Sequence, residues 1–211
     1  MGIRLKTSSP LSSFFWVSGM TAKPKSFVMP AGMDLEDQLA YCVGSLVANW
    51  ANCESMFYGI LACVVGKADT NIAATIWLSM RSTKARVDLA LQLLNAVDVP
   101  QPLKDEILKC AEIFDGITRT RNFYSHSFYK VDPNTMNLAE IEAYSFDPRA
   151  RTYRPDNKIL NKATINELVE TVRRATALNS ALWKPVLELR ELLKAQHLEL
   201  PEPFPEFLRP K

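Results

Sequence analysis

Glycine and histidine are scarce in this 211-residue chain, with seven and two respectively. None of the glycines falls in a phosphate-cradling spacing, and no Ser stands in a nucleophile-elbow context, so neither a nucleotide-binding loop nor a serine hydrolase is indicated. The four cysteines, Cys42, Cys53, Cys63 and Cys110, form no C-x-x-C pair and sit inside apolar helical spacings. They read as small hydrophobes of a reduced, cytosolic protein. No His or Cys pair has metal-ligand spacing, so neither a metal nor a cofactor is expected. No apolar run approaches the roughly 18 residues that cross a bilayer, and no membrane partner is expected. Phe14-Phe15-Trp16-Val17 behind Arg4 and Lys6 has only a faint secretory look, because the run is short and broken by serines. One-sided charge is lacking as well: 25 Lys and Arg face 23 Asp and Glu, a net +2. Any preference for nucleic acid must come from a local patch.

What is present is ordinary globular material, 47% hydrophobic and 23% charged, enough for one core-bearing domain with decorated ends. Residues 1–31 hold Arg4, Lys6, Lys23 and Lys25 and no acid. Rich in Ser, Lys and Pro and without helical period, they read as a mobile basic leader. Residues 32–198 form the helical domain, and 199–211, with Pro201, Pro203, Pro205 and Pro210, a proline-rich tail.

Inside the domain, Leu35, Leu39, Val43, Leu46, Trp50, Cys53, Phe57, Ile60 and Val64 recur every three or four residues. This spacing predicts one long helix that Gly66 terminates. Asp69 or Thr70 caps a second helix with Ile72, Ile76 and Met80 or Leu78 inward, and a third carries Val87, Ala90, Leu91, Leu94 and Val97, with a break at Ser82-Thr83. Pro100 and Pro102 open a fourth, whose inward set runs from Leu103 through Ile107, Leu108, Ala111, Phe114 and Ile117 toward His126. After Asp132-Pro133-Asn134 the period falls to two, and residues 138–154 read as a small accessory β-hairpin. Thr164 to Glu167 has the form of a capping box, opening a last helix through Leu193, with a kink expected at Pro185. The fold class is all-α: an antiparallel bundle of four or five helices with that hairpin attached.

The chemistry centres on Arg121-Asn122-Phe123-Tyr124-Ser125-His126. An Arg, a polar residue directly after it, and a His five positions on, at the end of a long helix, resemble the Arg-x4-His motif of the HEPN family of all-α domains. Trp50-Ala51-Asn52-Cys53-Glu54 and the Arg86 and Leu89 to Leu94 stretch are similar to helices that precede the motif in one branch of that family. The resemblance spans about residues 34–196. The second histidine, His197, lies seven residues after Arg190, but Glu191 follows that Arg, and this pair reads as helix surface.

The resemblance implies a metal-independent endoribonuclease, and a toxin or defence effector in its RNase branch. An imidazole, ordinarily titrating near neutrality, can take the proton of a ribose 2′-hydroxyl or give one to the leaving 5′-oxygen. A guanidinium can hold the phosphate through paired hydrogen bonds. Arg121 and His126 are the catalytic candidates, with Asn122 in support. They stand about 140° apart around a helix and flank a groove rather than touch. The family commonly joins two motifs at a homodimer interface, so the resemblance implies a homodimer, an RNA substrate, and an antitoxin or other regulatory partner protein. Arg119, Lys130 and Arg151, with Arg149, Arg154 and Lys158, are candidates to grip the RNA backbone. Tyr124, Phe128 and Tyr129 are candidates to stack bases. One departure stands out: family toxins often carry, two residues after the His, a Tyr that a nucleotidyltransferase partner modifies, and here Phe128 occupies that position. The competing reading is a non-catalytic helical module that binds a protein or nucleic acid. In it, His126 is a helix end, Arg121 pairs with Glu54 or Asp115, and Glu54 is structural.

Overall fold

The computed structural model describes residues 27–66, 70–147 and 152–196. They form five helices, α1 (Leu35–Val65), α2 (Thr70–Ser79), α3 (Thr83–Ala96), α4 (Gln101–His126) and α5 (Lys162–Gln196). Between α4 and α5 lie three strands, β1 (Phe128–Val131), β2 (Leu138–Asp147) and β3 (Thr152–Ile159). The fold is mainly helical.

α1 is the central element. The Asp34 carboxylate accepts the Asp37 amide at 2.9 Å and so caps the helix start. The helix ends at Gly66, whose φ of 81° suits glycine and lets its amide bond back to the Ala62 carbonyl. Most of the stripe read from the sequence is buried: Leu46, Cys53, Phe57 and Ile60 have no exposed surface, whereas Leu35 is exposed at 37% and Val43 and Val64 are only half-buried, and Cys42 and Leu61, outside the expected stripe, are fully buried. The helix packs mainly against α5, and also against α3 and α4. Leu168, Val172, Ala175, Leu182 and Leu189 of α5 close the same core. Each large side chain removed from water there contributes roughly 1.5–3 kcal/mol.

Local signals set the other helix ends, with two corrections. Ser82 caps α3 by accepting the Ala85 amide at 3.2 Å, which explains the break before Thr83. The last helix starts earlier than its expected capping box. Asn161, not Thr164, is the cap: its Oδ1 accepts the Thr164 amide at 3.0 Å, and the Thr164 hydroxyl donates back to the Ile159 carbonyl at 2.6 Å. α5 then runs through Pro185 as one helix. In α2 the inward residues are Ala73 and Trp77, whereas Ile72 and Leu78 are exposed at 47% and 72%. Four-residue spacing from Ala73 to Trp77 puts the indole against Tyr58 of α1, ring centroids 5.8 Å apart. Asp69 lies outside the described residues.

The expected hairpin makes up two strands of a three-stranded element. The three strands form an antiparallel sheet of order β1-β2-β3, and β3 continues to Ile159. Ile141 is fully buried on the face toward the helices. The opposite face aligns Phe128, Glu142 and Asn157 in register. Phe27 and Met29, placed in the leader by sequence, pack on the core, with the Phe27 ring 5.5 Å from that of Tyr41. Residues 1–26 of the leader and the proline-rich tail lie outside the described residues. The four thiols are free, and Cys42, Cys53 and Cys110 are buried.

Candidate functional site

α4 carries the motif at its C-terminal end because its apolar period fixes its rotation. Phe114 and Ile117 are buried and Thr118 is half-buried, while Asp115, Arg119, Asn122 and His126 face solvent. Residues three or four apart share a face, so Asn122 and His126 lie together on the open side.

Arg121 stands at the edge between core and solvent. Its guanidinium carbon is 4.2 Å from the Trp50 ring centroid, a stacked cation–π contact. Its Nη1 donates to Asn122 Oδ1 at 3.0 Å. Its Nε is buried without a hydrogen-bond partner. Neither carboxylate offered by the competing reading pairs with it: Glu54 bonds Arg86 at 3.2 Å and the Thr83 hydroxyl at 2.9 Å, and Asp115 pairs with Arg119 at 3.4 Å. Arg121 therefore has no carboxylate partner among the described residues. Glu54 is the structural acid expected of it. His126 is exposed at the last residue of α4.

Trp50 is itself held. Its indole N–H donates to Thr118 Oγ1 at 2.9 Å, and Thr118 donates to the Phe114 carbonyl at 2.8 Å. The Trp50 and Phe114 rings stack at 5.9 Å with 16° between planes. Sequence reading placed Trp50 in the core, where it is 7% exposed, but not its role under Arg121. No spacing rule reports that an α1 indole meets an α4 guanidinium.

The other expected contacts divide. Arg119 is exposed near the motif. Lys130 is already engaged: Glu142 holds it at 2.7 Å and Glu140 at 3.4 Å. The Glu142 hydrogen bond keeps Lys130 charged above its ordinary range, and Lys130, with the Tyr144 hydroxyl, holds the Glu142 carboxyl below its own. Lys158 pairs with Glu167 at 2.8 Å and lies 5.7 Å from the Phe123 ring. Tyr124 is corrected: only 2% exposed, it belongs to the core and cannot stack a base. Burial pushes its hydroxyl up to about 12. Phe128 and Tyr129 are exposed at 66% and 41%. The Tyr129 hydroxyl donates to the Tyr124 carbonyl, and Phe128 meets Tyr144 edge-on at 6.0 Å. Arg149, Arg151 and His197 lie outside the described residues.

A groove of about 420 Å³ runs between α3 and α4, with Val87 and Phe114 in its floor and Lys84, Asp88, Asp115 and Arg119 on its rims. It reaches Thr118 and Arg119, about one helical turn before Asn122. Among the described residues, no three His, Cys, Asp or Glu side chains gather into a metal-binding group. No described helix is long and apolar enough to cross a membrane. Comparison with protein-family models, with curated proteins and with solved structures finds no match to the chain.

Proposed function

We propose that the chain is a HEPN-type endoribonuclease whose five helices form the antiparallel bundle of that family. It cleaves RNA without a metal, by attack of a ribose 2′-hydroxyl on the adjacent phosphorus. The 2′-oxygen–phosphorus bond forms as the bond to the 5′-oxygen breaks, leaving a 2′,3′-cyclic phosphate and a 5′-hydroxyl. His126 moves the protons, Arg121 meets the charge that builds on the phosphate, and Asn122 fixes the guanidinium from the side. One imidazole cannot readily serve as base and acid in a single step, whereas two copies related by a two-fold axis supply one His126 for each role. A toxin or defence effector restrained by a partner protein is the corresponding biological setting.

The observation that carries this reading is the state of Arg121. Arg86, the other half-buried arginine over a tryptophan among the described residues, finds a carboxylate in Glu54. Arg121 instead is stacked on Trp50 and tied to Asn122, with His126 on the open side of the same helix end. A preorganised, uncompensated cation on the same helix end as an exposed imidazole suits an incoming phosphodiester. The experiment is degradation of single-stranded RNA in EDTA by purified wild type and by His126→Ala. Cleavage by the wild type alone supports the reading, and equal cleavage by both ends it.

A second reading is favoured by the outer face of the sheet, where Phe128, Tyr144 and Ile159 are exposed at 66%, 50% and 68%. Such a patch suits a non-catalytic interaction module. Overexpression separates the two readings. Growth arrest by wild type but not by Arg121→Ala belongs to the nuclease, and harmless expression of both belongs to the module.

A further inference from the structure

We infer that Trp50, locked by Thr118, is a positioning residue that fixes the Arg121 guanidinium to receive a phosphodiester. The identity of the anion rests on the nuclease reading.

Three successive facing positions of α4 converge on one α1 indole. Phe114 stacks on Trp50, Thr118 accepts its N–H, and Arg121 lies over its ring. The spacing 114, 118, 121 is the four-then-three step that keeps side chains on one helical face, so the contacts form a single clamp. The indole cannot turn without losing its hydrogen bond, and the guanidinium above it cannot tilt without losing the ring.

Among the described residues two arginines lie over tryptophans, and their contrast shows what the clamp is for. Arg86 lies 5.8 Å from the Trp77 centroid and directs its nitrogens at Glu54 and the Met80 carbonyl. Its charge is satisfied within the fold. Arg121 lies closer to its ring, at 4.2 Å, and its one acceptor among the described residues is the neutral Asn122 amide. Nε is shut in and unpartnered, so an anion must approach the terminal nitrogens, of which Nη2 has no protein partner among the described residues. Stacking supplies attraction without an acceptor, and therefore holds the cation in place while leaving its outer edge to a ligand. Holding it before substrate arrives removes an ordering cost from the reaction and keeps the donors aimed where charge develops.

The inference predicts a split between catalysis and binding. Trp50→Phe keeps a ring face and retains most activity. Trp50→Leu keeps apolar bulk without the face and lowers kcat by about 10- to 100-fold, the range expected of a slightly misplaced group, with KM for RNA within about twofold. A direct readout separates positioning from folding. In the 15N-resolved spectrum of the folded protein, the Arg121 Nε–H signal, assigned by its loss in Arg121→Lys, is displaced upfield by the indole. The displacement persists in Trp50→Phe and vanishes in Trp50→Leu while the backbone amide signals stay put. A 2′-O-methyl RNA strand, which lacks the attacking hydroxyl, then moves that signal in wild type. Wild type that fails to cleave RNA while the strand still moves the Arg121 signal overturns the nuclease reading and keeps the positioning inference. An undisplaced Arg121 signal in wild type, a strand that leaves it unmoved, or undiminished kcat in Trp50→Leu overturns the inference.

Discussion

The Arg121 guanidinium carbon lies 4.2 Å from the Trp50 ring centroid, while Glu54, an acid one turn further along the same helix as Trp50, is committed to Arg86 at 3.2 Å. α1 thus serves two arginines in two ways, one with an aromatic face and one with a carboxylate, and the difference governs what each can do.

Removing the two arginines has opposite consequences. Arg86→Met strands Glu54, whose side chain is only 15% exposed, and costs about 2 kcal/mol of stability through the lost charged hydrogen bonds. Arg121→Met strands no acid and forfeits about 0.5–1 kcal/mol of stacking, yet under the proposed nuclease reading abolishes RNA cleavage. Urea unfolding of the two variants, with cleavage assays alongside, checks the contrast.

Tyr124 supplies a prediction against its sequence-based role. Its hydroxyl is buried without a hydrogen-bond partner, so Tyr124→Phe removes a desolvated group and leaves stability unchanged or raises it by up to about 1 kcal/mol. Under the proposed nuclease reading, RNA binding and cleavage stay at the wild-type level. Thermal melting and a binding titration of the variant decide the matter, and weakened RNA binding contradicts the core placement.

Alkaline pH acts through the buried thiols Cys42 and Cys53 and the half-buried Cys63. Burial raises Cys53 from 9.0 to about 12, and Cys42 and Cys63 from 9.0 to about 11. Raised folded-state values mean that the fold holds protons the unfolded chain releases. Their contribution is therefore fully present below about pH 9 and lost as pH rises through 11 to 12. The melting temperature should be level from pH 7 to 8.5 and fall beyond about pH 9. At pH 8 a thiol reagent should label the native protein far more slowly than the urea-unfolded chain.

Acid acts on the sheet with the opposite sign. Lys130 and the Tyr144 hydroxyl hold the Glu142 carboxyl below its ordinary range. The stabilisation is present above that range and disappears as pH falls through the lowered value. Glu142→Gln should remove this part of the acid sensitivity, read as amide exchange protection of Phe128 to Val131 between neutral and acidic pH.

Much of the fold was legible because burial follows period. Most of the α1 stripe, the Ser82 break and the proline start of α4 follow from local chemistry and are found, while Leu35 at the head of the stripe is exposed. β1 was missed because Ser127-Phe128-Tyr129-Lys130-Val131 is too short to show a two-residue period, and its pairing with residues 138–142 is non-local. Tyr124 was misread because it adjoins a polar motif, whereas α4's rotation turns it inward. The α5 cap moved to Asn161 because Ile159 at the end of β3 takes the Thr164 hydroxyl. Of the candidate site, Arg121, Asn122 and His126 were singled out by their resemblance to a family motif, and the helical period put them at the end of α4. The Trp50 clamp was not, since it joins residues separated by 71 positions through tertiary packing alone.

The most direct test is the chemistry of the RNA ends. Single-stranded RNA incubated with purified wild type in EDTA, then examined by mass spectrometry, should yield fragments ending in 2′,3′-cyclic phosphate and beginning with 5′-hydroxyl. His126→Ala and Arg121→Ala should yield none. Intact RNA with the wild type, or 5′-phosphate ends, or the same fragments from His126→Ala, would contradict the account.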